Sequence, residues 1–131
     1  MQQKMNVWQR ILCLSIAGAA GTLARYGLSG LVQRHSGALF PWGTLIVNSI
    51  GCFLFGLVWA LAMERMVIGS DARLLILTGF MGAFTTFSTF TAETGNMLAD
   101  AQWVLGLVNS LGGLAVGLIM FFLGLFLGRW I

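Results

Sequence analysis

The sequence predicts an all-α membrane protein with four transmembrane helices in a single domain, residues 1–131. Composition is the first reason. Apolar residues make up 58% of the chain and charged residues only 8%, against about a quarter charged in a soluble domain. The chain has too few charges to cover a folded surface facing water, so its main solvent is lipid. The spacing of the charges is the second reason. No Asp, Glu, Lys or Arg occurs over 35–63, 74–92 or 101–128, and a spanning helix needs roughly 20 largely apolar residues.

The spans follow in order, at about 9–31, 42–62, 74–96 and 101–128. In the first, the uncharged run 11–24 is short, so a spanning helix must continue through Arg25 to about Leu31. Arg25 then lies near a membrane face or inside the protein. Lys4 and Arg10 precede an apolar run, but no small-residue cleavage site follows, so this segment reads as a retained span. A connection of about Gln33 to Trp42 holds His35, read as a loop residue, and Pro41, which suits the first turn of span two. Glu64 to Arg73 is the second connection; Gly69, Ser70 and Asp71 supply turn chemistry, with Asp71 a candidate cap for span three. A short third connection near Asn96 to Asp100 makes spans three and four antiparallel neighbours.

Topology can be counted from the basic residues. With four spans, Lys4, Arg10, Arg65, Arg73 and Arg129 fall on the side of the termini, and Arg25 and Arg34 on the other. The bias favours cytoplasmic termini. Placed at helix ends, these residues read as topology and headgroup contacts, not as a nucleic-acid surface. The 18 glycines, among them the pairs Gly113/Gly117 and Gly124/Gly128, permit close helix packing. Four short helices are few for enclosing a path, which points towards oligomerisation.

Polar residues inside the spans carry the functional signal. Thr44 and Asn48 share a face of span two. The Asn48 amide can hold an anion through its hydrogens or can link two helices. Span three carries five hydroxyls between Thr85 and Thr91, preceded by Gly79 and Gly82. A helix interrupted there would free backbone carbonyls for a cation, or the hydroxyls form a packing face. Phe87 and Phe90 sit three apart within this run. Phenyl edges are positive, so such rings can line an anion path or simply fill a core. Glu93 follows one turn on, and Asn109 and Ser110 lie on span four near Gly106, Gly113 and Gly117. Cys13 and Cys52 read as buried thiols, and no catalytic constellation is present in the sequence, so an enzyme is not expected.

Several of these segments resemble the small bacterial fluoride channels, a family once described as camphor-resistance proteins. The resemblance is carried by Gly21 to Tyr26, by Gly43–Thr44–Leu45 with Val47–Asn48, and above all by Gly79–Phe80, the run Thr85–Thr86–Phe87–Ser88–Thr89–Phe90, and Glu93. It implies a passive, fluoride-selective channel of the bacterial inner membrane that exports fluoride and so limits its toxicity. The assembly it implies is an inverted (antiparallel, dual-topology) homodimer with two pores. The implied anion pore is lined by Asn48, Phe87, Phe90, Ser110 and Thr44, with Arg25 near a vestibule and Glu93 on a polar track. An interrupted third helix would present the carbonyls of Gly82 and Thr85 from both chains to one structural sodium ion. Gly106 stands where some members carry a tyrosine, and the five-to-two basic count is lopsided for a chain that inserts both ways. Three other readings compete: a proton-coupled fluoride carrier, kept open by Glu93; a small multidrug-type efflux transporter, which would want a glutamate in span one where this chain has Arg25 and no carboxylate; and a non-transporting scaffold, which would not need Asn48 and the hydroxyl–phenyl track in register across a bilayer.

Overall fold

The computed structural model describes residues 5–37 and 39–131; Lys4, counted above, lies outside them. Among the described residues, four helices are long and apolar enough to cross a membrane: α1 (Val7–Ser36), α2 (Trp42–Glu64), α3 (Ser70–Ala99) and α4 (Trp103–Trp130). Each is long enough because rising about 1.5 Å per residue lets some 20 residues cross the hydrocarbon layer. Wider π turns occur at Ala60–Glu64, Leu74–Met81 and Val108–Gly112.

The helix ends depart from the expected ones for local reasons. Asn6 starts α1 with a reciprocal cap: its side-chain oxygen accepts from the Gln9 N–H at 2.9 Å, and its own N–H donates to Gln9 Oε1 at 3.0 Å. At the other end α1 continues to Ser36, and Gly37 leaves the helix at φ +84°. His35 is therefore in the last turn of α1 and not in a loop; its Nδ1 lies 2.8 Å from the Leu31 carbonyl. Gln33 is also helical, and its side chain closes the connection. It donates to the carbonyls of Gly37 and Phe40 and accepts from the Gly43 N–H.

Asp71 does not cap α3, whose N-cap is Gly69. Its carboxylate instead accepts from the Met5 N–H and pairs with Arg10, each at 3.0 Å, tying the start of α1 to the start of α3. Asn96 belongs to α3, which runs on to Ala99; the reversal into α4 is made by Asp100 to Gln102, with Ala101 at φ +58°.

Small residues set the packing. A side chain at Gly56 would collide with the Phe121 carbonyl, and one at Gly124 with the Phe53 carbonyl. A Cβ at Gly128 would come within 2.7 Å of the Ala60 Cβ. Helices α2 and α4 therefore meet backbone to backbone, as helices do in lipid, where dispersion and not water exclusion drives association. Gly21 does the same for α1 against Phe80 of α3. Val47, Met81 and Phe84 form the buried centre, with Leu28, Ile50 and Phe80 packed on it. Large apolar side chains such as Leu12, Ile16 and Leu23 on α1 and Leu114, Ile119 and Phe122 on α4 are exposed, as a lipid-facing surface requires.

Gly124→Val is expected to force α2 and α4 apart and to destabilise the fold by about 1–3 kcal/mol or more, the usual cost of overpacking. A lower Tm and loss of a homogeneous species in detergent would show it; an unchanged Tm would mean that the two helices are not held at contact.

Candidate functional site

The site begins with the backbone of α3. Thr85 (φ −84°, ψ 157°) and Thr86 (φ −144°, ψ 110°) are extended, between helical Gly82–Phe84 and helical Phe87–Ala99. Extended residues in mid-membrane leave peptide groups that need partners, and the bundle supplies them. Asn48 of α2 faces the peptide groups of Thr86: its Nδ2 donates to the Thr86 carbonyl at 3.1 Å, and its Oδ1 accepts from the Thr86 N–H at 2.8 Å. Arg25 reaches in from α1 and donates from Nε to the Ala83 carbonyl at 3.0 Å. The Thr86 hydroxyl accepts from the Thr89 N–H at 3.2 Å and caps the helical stretch that follows. The Thr85 hydroxyl donates back to the Met81 carbonyl.

This satisfies most of the exposed peptide groups but not all. The Thr86 N–H, which would close the next helical turn onto Gly82, goes to Asn48. The Thr89 N–H, four residues on from Thr85, goes to Thr86 Oγ1. The carbonyls of Gly82 and Thr85 thereby lose their regular helical donors. Carbonyl oxygens suit a hard cation, so these residues fit a sodium ion by donor type.

Beside the extended residues lies a groove of about 490 Å³ between α2, α3 and α4. Asn48, Gly51, Thr85, Thr86, Phe87 and Phe90 line it on one side, and Gly113 and Gly117 of α4 on the other. The Phe87 and Phe90 rings are 6.1 Å apart, tilted by 36°. Phe90 is held close against Gly113, where an added Cβ would sit 2.8 Å from the ring. Phe87 is 80% exposed in the single chain.

Two further cavities neighbour the groove, each sharing a wall residue with the next. Thr86 also lines a cavity of about 350 Å³ with Arg25, Thr44 and Thr89. Thr44 in turn lines a third, of about 340 Å³, with Glu93, Ser29 and Gln33. Thr44 is buried and donates to Glu93 Oε1 at 2.7 Å. Glu93 Oε2 is buried and has no hydrogen-bond partner among the described residues.

The structure thus brings Asn48, Phe87, Phe90 and Thr85 to one groove, and Arg25, Thr44 and Glu93 to the cavities next to it. Ser110 does not line the groove; its hydroxyl donates to the Leu107 carbonyl at 3.2 Å inside a π turn. Gly106 packs under Leu98. The inward polar residue of α4 is Asn109, fully buried, donating from Nδ2 to Thr94 Oγ1 at 2.8 Å, and Thr94 Oγ1 donates to the Phe90 carbonyl at 2.8 Å. Spacing did not single out Asn109 over Ser110, because the two are adjacent at the same level of the span and the π turn that holds both has no signature in the hydropathy.

Four apolar helices carrying a line of amide, hydroxyl and phenyl groups define a small multi-pass membrane protein. Residues 12–125 match the family model described as CrcB-like protein, Camphor Resistance (CrcB), and the chain belongs to that family. It is 54% identical over 118 residues to a protein of Nitrosococcus oceani, covering 90% of this chain and 94% of the relative. A protein of Solidesulfovibrio magneticus is 55% identical over 118 residues, with the same coverage of 90% and 94%. A third, from Nitratidesulfovibrio vulgaris strain Miyazaki F, is 50% identical over 121 residues, 92% of this chain and 98% of the relative. All three relatives are named fluoride-specific ion channel FluC.

Proposed function

We propose that this protein is a fluoride-selective ion channel that lets fluoride leave the cell passively across the bacterial inner membrane. The observation that carries the reading is the groove in which one amide and two phenyl rings meet, in a chain about half identical to proteins named for fluoride conduction. An Asn side chain has two N–H donors. One hydrogen of Asn48 is used on the Thr86 carbonyl, and the other is available to an anion in the groove. The edges of Phe87 and Phe90 add weak positive potential without a fixed charge. Conduction needs binding that is modest and spread over several sites, and this set provides it where a guanidinium would hold the anion too long. Thr44, Arg25 and Glu93 continue the polar line towards one membrane face.

The functional unit in this reading is an inverted homodimer with two pores. Phe87, Ser88 and Thr89 are exposed side by side on the single chain, and hydroxyls facing lipid are disfavoured. A second copy covering that face would complete each pore. The carbonyls of Gly82 and Thr85 from both chains would hold one sodium ion, which when bound supplies a charge that ties the two interrupted helices together. A coupled carrier is the second reading, favoured by one observation, the buried Oε2 of Glu93, which has no partner among the described residues.

Passive fluoride efflux from liposomes, measured with a fluoride electrode against a chloride control, separates these readings. Rapid fluoride release with little chloride movement and no imposed pH gradient is the expected result. Release only when a pH gradient is imposed would favour the carrier, and no release from folded protein in either condition would overturn both.

A further inference from the structure

At the membrane end where α1 and α3 begin lies a separate cavity of about 550 Å³ that the proposed conduction path does not use. Its rim is basic. Arg10 pairs through Nη2 with Asp71 at 3.0 Å, but its Nε is buried without a hydrogen-bond partner among the described residues. Arg73 meets only the thioether sulfur of Met63, a weak acceptor, and makes no ion pair with a carboxylate among the described residues. Two guanidiniums against one carboxylate leave the rim one positive charge in surplus. Ser70 adds a hydroxyl at the same level, and Trp59 lines the wall. The floor is apolar, made by Leu74, Leu77 and Phe55, and runs towards the centre of the bundle.

We propose that this cavity seats an anionic phospholipid, its phosphate between Arg10 and Arg73 and the start of one acyl chain along Leu74 and Leu77. A basic rim above an apolar floor matches an amphiphile and not a small hydrated anion, which would gain nothing from the floor. Basic pockets between membrane helices recognise headgroups by this charge complementarity, and tryptophan sits well at the headgroup level. The Arg73 guanidinium, whose one contact among the described residues is a weak sulfur acceptor, is a donor that water or a phosphate must otherwise satisfy. The seat gives a defined place to the headgroup contacts that arginines at helix ends suggest.

Purified full-length protein in detergent, titrated separately with short-chain phosphatidylglycerol, matched phosphatidylcholine and inorganic phosphate, tests this by native mass spectrometry. Saturable binding of phosphatidylglycerol, and not of phosphatidylcholine, is expected. Arg73→Gln should weaken that binding about fivefold, the worth of one basic residue near the headgroups, while Arg73→Lys keeps most of it. If Arg73→Gln fails to fold, Ser70→Asp, at an exposed position, should expel the lipid by like charge. Equal binding of the two lipids, phosphatidylglycerol binding unchanged in Arg73→Gln or in Ser70→Asp, or phosphate binding as strongly as phosphatidylglycerol would each overturn the proposal, the last in favour of a free-anion site.

Discussion

Asn48→Asp is expected to abolish fluoride flux while leaving the chain in the membrane. The Asn48 amide closes both hydrogen bonds on the peptide groups of Thr86, and its remaining N–H, on a side chain that lines the groove, has no partner among the described residues. A carboxylate keeps only the acceptor half of that arrangement. It still takes the Thr86 N–H, but it faces the Thr86 carbonyl without a hydrogen between them and presents negative charge to an anion. Two like charges at about 4 Å repel by about 4 kcal/mol at an effective dielectric constant of about 20, or about three orders of magnitude in occupancy. Asn48→Leu, which loses both bonds and adds no charge, should cost about 1–3 kcal/mol of stability for each peptide group left unpaired. Liposome flux together with Tm separates the two effects. Flux from Asn48→Asp equal to that of the unaltered chain would return Asn48 to a purely structural role.

Phe87→Ile is expected to lower fluoride flux about tenfold with assembly unchanged. Isoleucine keeps the apolar bulk and removes the ring edge, whose interactions in aromatic pairs reach about 1.5 kcal/mol. Because Phe87 is 80% exposed on the single chain, its replacement leaves the interior of the bundle untouched. The same change at Phe90 would confuse packing with conduction, since that ring is wedged against Gly113. Flux of Phe87→Ile matching the unaltered chain, with the oligomer intact by size-exclusion chromatography, would remove Phe87 from the path.

The four helices were legible because membrane insertion reads a local quantity, the mean hydropathy of some 20 consecutive residues. Helix ends were less so. The extension of α1 to Ser36 depends on Gln33 closing the connection onto Gly43, ten residues further on. The loss of Asp71 as a cap depends on Arg10 and Met5, brought beside it from the other end of the first helix. The hydroxyl run from Thr85 to Thr91 marked a place where the backbone needs side-chain partners, and Thr85 and Thr86 are extended there. Which hydroxyls turn back onto the backbone and which face outward could not be read in one dimension.

By itself, then, the sequence determined the solvent of this protein, the number of its spans, and the stretch of span three where polar chemistry concentrates, because each depends on composition within a single window. Only the tertiary structure decided that the amide of Asn48 belongs to the backbone of Thr86, 38 residues away. It alone turned Asn109 and not Ser110 inward onto Thr94, and set Thr44 on Glu93. The physical reason is common to all three. A polar group in a low-dielectric interior must find a partner, but which partner it finds is fixed by how closely glycine-bearing helices approach, and that distance is a property of the packed bundle and of no single segment.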